Sequence, residues 1–431
     1  MTTLTRRLDE GRGTLLLVGA AFVLVVVSVV MALQHPLHQA GIALSFGAFI
    51  AVGEAVRLTL TGDREAAPLG AAGALAYALI GRFGSEPTTH TVYDVVAVTA
   101  AASLVGAVPH IMAGRSPRLD VLARRILSVG VAAALFRPFY DSGVGVLGQL
   151  EMDHKNGWLA SVMVAIAVVA GVFDAVIAAL VRADRDRAPF LSSLHSEFRA
   201  LIGLGSAIAA TGVLIALAAQ VMRLWAIPVF VIPLMLTQFS FRRYAGIRNT
   251  YAQTIRSLSR VTEVGGYTET GHSRRVSELA LGVGRELGLS DQDLVDLEYA
   301  ALMHDLGQLS LAEPIPGGAT VMAMPDEQRR IAEMGAEVIR QTGVLDRVAV
   351  IVGRQAEPYR RPHETVDETI PLASRIIKAA NAYDDMVGDS RESARRLEAL
   401  ERLRLSMAYD YDPRVVTSLA HVVERSNRLG L

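Results

Sequence analysis

The chain has 431 residues, of which 51% are hydrophobic, and its formal net charge at pH 7 is -1. The mean hydropathy of +0.35 is high for a purely soluble protein and favours a chain that lies partly in a membrane. The small net charge argues against nucleic-acid binding through bulk positive charge. The lack of cysteine excludes disulfides and thiolate metal sites, so metal ligands must come from His, Asp, Glu and Asn.

About eight apolar runs between Gly13 and Phe241 predict membrane-spanning helices, because about 17 to 25 apolar residues suffice to cross the hydrocarbon core. The approximate spans are 13–33, 40–60, 67–83, 92–113, 124–146, 157–181, 199–221 and 224–240. The first run is too long for a signal-peptide core and lacks a small-residue cleavage pattern, so we expect an uncleaved anchor. Residues 1–240 are therefore predicted to form a multi-pass sensory or anchoring domain.

The positions of the arginines predict the orientation of these spans. Basic residues mark every second connection: Arg6, Arg7 and Arg12, then Arg57 and Arg64, Arg115 and Arg118, Arg182, Arg185 and Arg187, and Arg242 and Arg243. The intervening connections are poor in bases and hold chiefly Arg82, Arg137, Lys155 and Arg223. By the positive-inside rule both termini are predicted to be cytoplasmic, which agrees with an even number of spans.

Some ionisable residues fall inside the predicted spans, namely Glu54, Asp94, His110, Arg137 and Asp174. Such groups are costly in a bilayer and are candidates for ligand or proton sites. The alternative for each is a helix–helix hydrogen bond or an interfacial position. A transporter or channel is disfavoured, because few of these charges are paired and no two helices are broken by Gly or Pro in matching positions.

A second polar group falls on the predicted outer side of the membrane. It consists of His35, His38, His90 and His154 with Glu86, Glu151 and Asp153. Imidazole and carboxylate groups suit a metal or pH sensor. The alternative is that they are ordinary solvated loop residues.

Residues 241–264 follow the last predicted span and repeat at alternating spacings of three and four. The positions in this repeat are Tyr244, Ile247, Tyr251, Thr254, Leu258 and Val261. The spacing is typical of a short coiled coil, which would couple two protomers of a homodimer. A single amphipathic helix packed on its own domain has the same pattern over so few heptads. In both interpretations the segment is a signalling helix.

Residues 265–431 are soluble and helical by pattern, and three predicted helices place polar groups beside apolar neighbours. These groups are His272, the pair His304 and Asp305, and Asn381 with Asp384. A buried carboxylate without a partner costs several kcal/mol, and one divalent cation would satisfy these groups together. For any one histidine taken alone, a hydrogen-bonded position in the core is the alternative.

Four segments in this half carry a family resemblance. They are GHSRRVSELA, ALMHDLGQLSL, IPLASRIIKAANAYDDMV and AYDYDPRVVTSLAHVV. In this order and spacing they resemble the HD-GYP branch of the HD phosphohydrolase superfamily. The resemblance implies an all-helical, HD-type bundle with a metal centre that hydrolyses the bacterial second messenger cyclic di-GMP. With the apolar half, it implies an all-α protein in the bacterial inner membrane.

The resemblance also shows where the family's pattern changes. His272, His304 and Asp305 match family ligand positions, whereas Asn381 stands where the family has Asp. Other positions depart as well: Ile331 and Ala332 replace a His-Pro pair, Arg354 and Gln355 lie near the family's paired histidines, Gln308 replaces the Lys of HDxGK, and YRRP is what remains of GYP.

The donors that remain predict a site for one divalent metal, Mn, Fe or Mg. We expect His272, His304, Asp305 and Asn381 as ligands, with Asp384 as an outer partner that orients one of them. A second metal is not expected. His363 or Glu357 are further candidates from the adjacent loop, whose direction the sequence does not fix.

Two classes of function follow. The first is a metal-dependent phosphodiesterase in which Arg375 steadies a phosphate. The second, which the loss of ligand positions favours, is an output module with weak or no hydrolysis that binds a cyclic dinucleotide or a cytoplasmic signalling partner. In that class Arg354, Arg360 and Arg361 would grip phosphates. The alternative for these arginines is a solvated basic loop.

Overall fold

The computed structural model describes residues 12–34, 39–60, 64–114, 118–140, 156–186, 189–315, 318–361, 363–390 and 392–429. Helices dominate these residues, as the predicted all-α class requires. The strands form two short antiparallel hairpins, in which β1 (Leu58–Leu60) pairs with β2 (Arg64–Ala66), and β3 (Arg82–Phe83) pairs with β4 (Glu86–Pro87). The all-α prediction is therefore confirmed.

The chain divides into two compact units. The first comprises Met1–Asp186 and Ser193–Gly246, and the second comprises Arg187–Ser192 and Ile247–Leu431. The first contains most of the apolar segments and the second contains the three polar groups singled out above. Each unit has its own hydrophobic core.

Most helices of the first unit are apolar, and they range from 11 to 39 residues in length. They are α1 (Arg12–Gln34), α2 (Ala40–Ala55), α3 (Pro68–Leu79), α4 (Val92–Met112), α5 (Leu119–Phe136), α6 (Asn156–Asp186), α7 (Phe190–Ala200), α8 (Ser206–Met222) and the first part of α9 (Ala226–Val264). Among the described residues, four helical segments are long and apolar enough to cross a membrane: Gly13–Gln34, Val92–Met112, Gly157–Arg185 and Phe190–Arg243. These segments are consistent with a membrane protein, while the count of eight spans stays a prediction.

Three predicted spans extend beyond the C-terminal ends of the helices that form in the same regions. Helix α2 ends at Ala55 and α3 at Leu79, because residues 58–60 and 82–83 form the hairpin strands. Helix α5 ends at Phe136 and gives way to a 3-10 turn, Arg137–Phe139, at whose centre Pro138 lacks the N–H that a continuing helix needs. Of the arginines used for the orientation, Arg6, Arg7, Arg115 and Arg187 lie outside the described residues.

Small residues set the spacing of helices α2, α3 and α4. A Cβ at Gly53 would overlap the backbone of Gly70, and a Cβ at Gly106 would overlap the carbonyl oxygen of Ala51. Close approach through small residues is typical of helices that pack in membranes.

The second unit is a bundle of shorter helices. They are the last part of α9, α10 (His272–Glu286), α11 (Asp291–Met303), α12 (Pro325–Arg340), α13 (Asp346–Gly353), α14 (Leu372–Val387), α15 (Ser393–Leu405) and α16 (Pro413–Leu429). Helix α10 is followed by Gly288 in the left-handed region, φ 78°, a conformation that glycine adopts readily at the end of a helix. Alanines fill much of the core between α10, α11 and α14, so these three helices lie close together.

Candidate metal centre

Three elements carry the candidate metal centre. His272 is the first residue of α10 and follows Gly271, whose φ of 78° turns the chain into the helix. His304 and Asp305 come directly after α11, and Asn381 lies on α14. The polar residues predicted from three helices are therefore brought to one place.

Three ligand atoms of this centre form a nearly equilateral triangle. Nε2 of His272 lies 3.3 Å from Nε2 of His304. Oδ2 of Asp305 lies 3.2 Å from the first nitrogen and 3.1 Å from the second. An ion about 2.1 Å from all three would see them about 100° apart, between the roughly 90° of octahedral and the roughly 109° of tetrahedral sites. The side chains are buried, with residue exposures of 3%, 1% and 2%.

Hydrogen bonds on the far side of each imidazole leave both Nε2 lone pairs facing the triangle. Nδ1 of His272 donates to Oδ2 of Asp384 over 2.8 Å, and Nδ1 of His304 donates to the carbonyl of Ala301 over 2.8 Å. Because both partners only accept, the ring proton belongs on Nδ1. Oδ2 of Asp305 has no hydrogen-bond partner with good geometry among the described residues. Three converging lone pairs in a buried site fit a divalent cation.

The same arrangement shifts the proton affinity of the centre when no cation is bound. Burial lowers the pKa of His272, but the adjacent carboxylates of Asp305 and Asp384 outweigh burial and raise that pKa to about 11. Burial also raises the pKa of Asp305, yet the two histidines lower it to about 2. A proton on His272 thus occupies the position that a cation would take.

Asn381 points its oxygen toward the triangle. Oδ1 lies 3.0 Å from Nε2 of His304, and Nδ2 donates to Oγ1 of Thr320 over 2.8 Å. A second, longer bond runs from Nδ2 to Oδ2 of Asp385, 3.4 Å away. Because these two acceptors hold the amide nitrogen, the oxygen is the atom left to face a cation.

Asp384 lies behind His272 and is neutralised by Arg275. Nε of Arg275 donates to Oδ1 of Asp384 over 2.9 Å, and Nη2 donates to Oδ2 over 2.9 Å. The carboxylate thereby fixes the ring of His272 while its own charge is balanced. Arg275 and Asp385 were missed by the sequence reasoning, although they follow His272 by three and Asn381 by four residues, which places each pair on one helix face.

The four arginines predicted to bind phosphate already have neighbours. Arg354 pairs with Asp367 at 3.0 Å, Arg361 with Glu357 at 3.1 Å, and Arg375 with Asp412 at 3.3 Å. The guanidinium of Arg360 lies 4.7 Å from the centre of the Tyr409 ring. No carboxylate in the described part of the chain forms an ion pair with Arg360, so it keeps the most unbalanced positive charge of the four.

The loop that carries Arg354, Arg360 and Arg361 is tied to the metal centre. Nε2 of Gln355 donates to the carbonyl of His304 over 2.7 Å. Nζ of Lys378, on α14, donates to the carbonyls of Ala356 and Glu357 over 3.3 and 3.1 Å. A crevice of about 880 Å³ lies along the loop, with Arg360 and Arg361 outnumbered by Glu357, Glu364, Asp367 and Glu368. The crevice alone therefore adds no positive potential for an anion.

The loop candidates His363 and Glu357 are not part of the group of potential metal ligands, and the residues at the other changed positions add no charged ligand. His363 is exposed, with φ 66°, and Glu357 pairs with Arg361. Ile331 and Ala332 are buried in the packing of α12, with exposures of 2% and 0%. Gln308 is fully buried, and its amide donates to the carbonyl of Gly318 over 3.4 Å.

The ionisable residues of the predicted spans have local partners. Glu54 pairs with Arg57 at 3.7 Å and, more closely, with Arg125, and Asp174 pairs with Arg124 at 3.3 Å. Asp94 caps α4 by accepting from Thr91, His110 contacts the carbonyl of Ala55 at 3.1 Å, and Arg137 donates to Tyr77 and Thr88. The contacts of Glu54, Asp174, His110 and Arg137 join different elements, as in the helix–helix alternative, whereas Asp94 bonds at the start of its own helix.

The proposed outer group falls largely outside the described residues. This applies to His35, His38, His154, Glu151 and Asp153. His90 is buried with its ring 5.2 Å from that of Tyr77, and Glu86 lies in β4. A sensor role for the group stays a prediction.

Comparisons with known proteins agree with the second unit's fold. Residues 265–415 match the HD domain family. A stretch of 181 residues is 30% identical to the cyclic di-GMP phosphodiesterase response regulator RpfG of Xanthomonas campestris pv. campestris (strain 8004). The match covers 38% of this chain and 46% of that protein, so the chain spans about half the length of this curated relative.

Proposed function

From the premise that residues 265–415 are an HD domain, we propose that this chain is a membrane-bound bacterial signalling protein whose HD domain binds a cyclic dinucleotide beside one divalent cation. We propose further that it hydrolyses the nucleotide slowly or not at all. The observation that supports this most is the buried triangle of His272, His304 and Asp305, the group of potential metal ligands found in the described residues.

The supply of donors supports one cation rather than two. Paired metal ions a few ångströms apart need bridging carboxylates and further ligands for each ion. In this HD domain Asp384 is engaged by Arg275, and Ile331 and Ala332 bring only apolar side chains. The four donors that converge are those of His272, His304, Asp305 and Asn381.

The proposed roles follow from the contacts. His272 and His304 present lone pairs to the cation, and Asp384 holds the ring of His272. When bound, the cation would act as a Lewis acid and neutralise phosphate charge. Arg360 would contact a second phosphate oxygen through its planar guanidinium, on a loop anchored to His304 by Gln355.

A second candidate is an active metal-dependent cyclic di-GMP phosphodiesterase with a reduced metal site. The observation in its favour is that the His-Asp pair and His272 are complete and correctly oriented, and a relative is named as such a phosphodiesterase. The two candidates differ in turnover.

Nucleotide binding and turnover separate the two candidates. For the purified full chain in detergent with Mn²⁺, we expect binding of cyclic di-GMP without appreciable hydrolysis. We expect Arg360→Ala to weaken binding about 10-fold or more, as loss of a charged hydrogen bond does. Calorimetry and chromatography of the products measure both quantities, with the exposed, salt-bridged Arg402→Ala as a matched control. Turnover that disappears in His304→Ala would instead establish the phosphodiesterase, and binding unchanged in Arg360→Ala would refute the role of Arg360.

The signalling helix is proposed to hold a homodimer together. Ile247, Tyr251, Leu258 and Val261 are 43–48% exposed, and the side chain of Tyr244 lies outside the described residues. The adjoining face packs in the second unit, with Ile255 only 3% exposed. The helix thus packs on its own domain through one face and leaves the heptad face for a second copy.

A charge in the heptad face tests this dimer. We expect Leu258→Lys to convert the detergent-solubilised dimer into a monomer, because two lysines would meet across the seam. Gln253→Lys places the same charge on an exposed position outside the repeat and should leave the dimer intact. Light scattering with chromatography gives the masses, and a dimer that persists in Leu258→Lys would refute the proposed interface.

A further inference from the structure

A second carboxylate stands at the edge of the metal centre. Asp385 follows Asn381 by one helical turn on α14, and its side chain is only 3% exposed. Its Oδ1 lies 3.9 Å from Nε2 of His272. Its Oδ2 accepts from the backbone N–H of Val321 over 3.1 Å and from Nδ2 of Asn381 over 3.4 Å.

These contacts leave Asp385 without an Arg or Lys partner, so His272 of the metal centre is its nearest basic group. Both hydrogen-bond donors are neutral, and no Arg or Lys of the described residues forms an ion pair with it. Asp384, its neighbour in sequence, is held by Arg275. A buried carboxylate without an opposite charge is costly, and for Asp385 that charge comes from the metal centre, as a proton or a cation at Nε2 of His272.

The negative charge of Asp385 lies one helical turn from position 381, where the side chain carries no charge. Asn381 is a neutral oxygen donor, and with Asp384 balanced by Arg275 the triangle has one negative charge of its own, on Asp305. Asp385 adds a second from the same helix. The sum equals the charge of a divalent cation.

We propose that Asp385 supplies the second negative charge of the metal centre and thereby restores the cation affinity that an asparagine at position 381 withdraws. The inference rests on the one-metal site of the proposed function. Asp385 stands outside the triangle of His272, His304 and Asp305. It acts by its charge and by holding the nitrogen of Asn381, so that the oxygen of Asn381 faces the cation.

Binding of Mn²⁺ to the full chain in detergent tests the inference. Electron paramagnetic resonance of free Mn²⁺ gives the affinity of each variant without any need for nucleotide turnover. We expect Asp385→Asn, which preserves shape and removes charge, to weaken binding about 10- to 100-fold, the usual effect of an outer partner. Asp389→Asn, at an exposed position just beyond the same helix, is the matched control and should bind like the unaltered protein.

The double variant with Asn381→Asp and Asp385→Asn separates charge from structure. This variant carries the second negative charge at position 381 in place of position 385, so we expect it to recover most of the Mn²⁺ affinity that Asp385→Asn loses. Failure of this rescue, or unchanged affinity in Asp385→Asn, would overturn the inference. Without Mn²⁺, we expect the thermal unfolding midpoint of Asp385→Asn to be no lower than that of the unaltered protein. That result would show that the variant folds.

Two outcomes of the same titration have different meanings. If the unaltered protein binds Mn²⁺, His304→Ala does not, and Asp385→Asn binds normally, then the role of Asp385 is wrong while the one-metal site stands. If the unaltered protein and His304→Ala bind Mn²⁺ equally or not at all, the one-metal site itself is wrong, and the inference falls with it.

Discussion

Replacing His304 with alanine is expected to abolish divalent-cation binding, with an affinity loss well beyond the roughly 100-fold that outer partners cause. The substitution removes one corner of the triangle and leaves His272 and Asp305 as its only charged or imidazole donors. It also removes the nitrogen that lies 3.0 Å from the oxygen of Asn381, so that oxygen loses its nearest partner ligand. The measurement is the metal content of the purified full chain, together with the shift in its unfolding temperature on adding Mn²⁺.

The control for this prediction is His421→Ala. His421 has a side chain that is 55% exposed and pairs with Glu286 at 2.8 Å, so the same substitution there removes an imidazole from the surface. We expect that variant to keep the metal content and the Mn²⁺-dependent shift in unfolding temperature. Equal metal content in both variants would show that the cation binds elsewhere.

Alanine at position 307 is expected to destabilise the HD domain by about 3 kcal/mol or more, at the upper end of what overpacking costs. Gly307 follows the His-Asp pair by two residues, and a Cβ there would overlap the carbonyl oxygen of Ile331 in α12. Backbone cannot yield as a flexible side chain does, so α12 must move. The expected fall in unfolding temperature is roughly 6 to 12 °C for a domain of this size.

Gly246→Ala is the matched control for the glycine prediction. Gly246 is an exposed helical residue, and a Cβ there meets nothing within 4 Å. Alanine favours a helix interior over glycine by about 1 kcal/mol, so this change should leave stability equal or higher. An unfolding temperature of Gly307→Ala close to that of the unaltered protein would contradict the close approach of α12.

The sequence could nominate residues for the candidate metal centre because helical periodicity is local. The spacing around His272 and Asn381 placed their side chains among apolar neighbours, and the structure brings both beside His304. The partner of Asp384 could not be read in the same way. Arg275 lies 109 residues away in the chain, and periodicity does not say which two helix faces meet.

Asp385 shows a different limit of sequence reasoning. It shares a helix face with Asn381, so the signal was present, but its neighbour Asp384 offered the same chemistry. Only the packing of α14 decides that Asp384 turns toward Arg275 while Asp385 turns toward Val321 and Asn381.

The apolar first unit shows that the length of an apolar run alone does not predict the length of its helix. Apolar runs at 40–60 and 67–83 are long enough in sequence, yet α2 has 16 residues and α3 has 12, because each run ends in a hairpin strand. Residue hydrophobicity carries no information about where such a strand begins. The loop that carries Arg354, Arg360 and Arg361 could not be predicted either. The pairing of Arg354 with Asp367 depends on a turn that no periodic pattern marks.

The segment at residues 320–321 is fastened to α14 by the side chains that border the cation position. Thr320 accepts from Asn381, and the backbone of Val321 donates to Asp385. Cation binding at the centre and the placement of this segment are therefore thermodynamically coupled. By thermodynamic reciprocity, whatever pulls the segment away changes cation affinity by the same factor by which a bound cation opposes the pull.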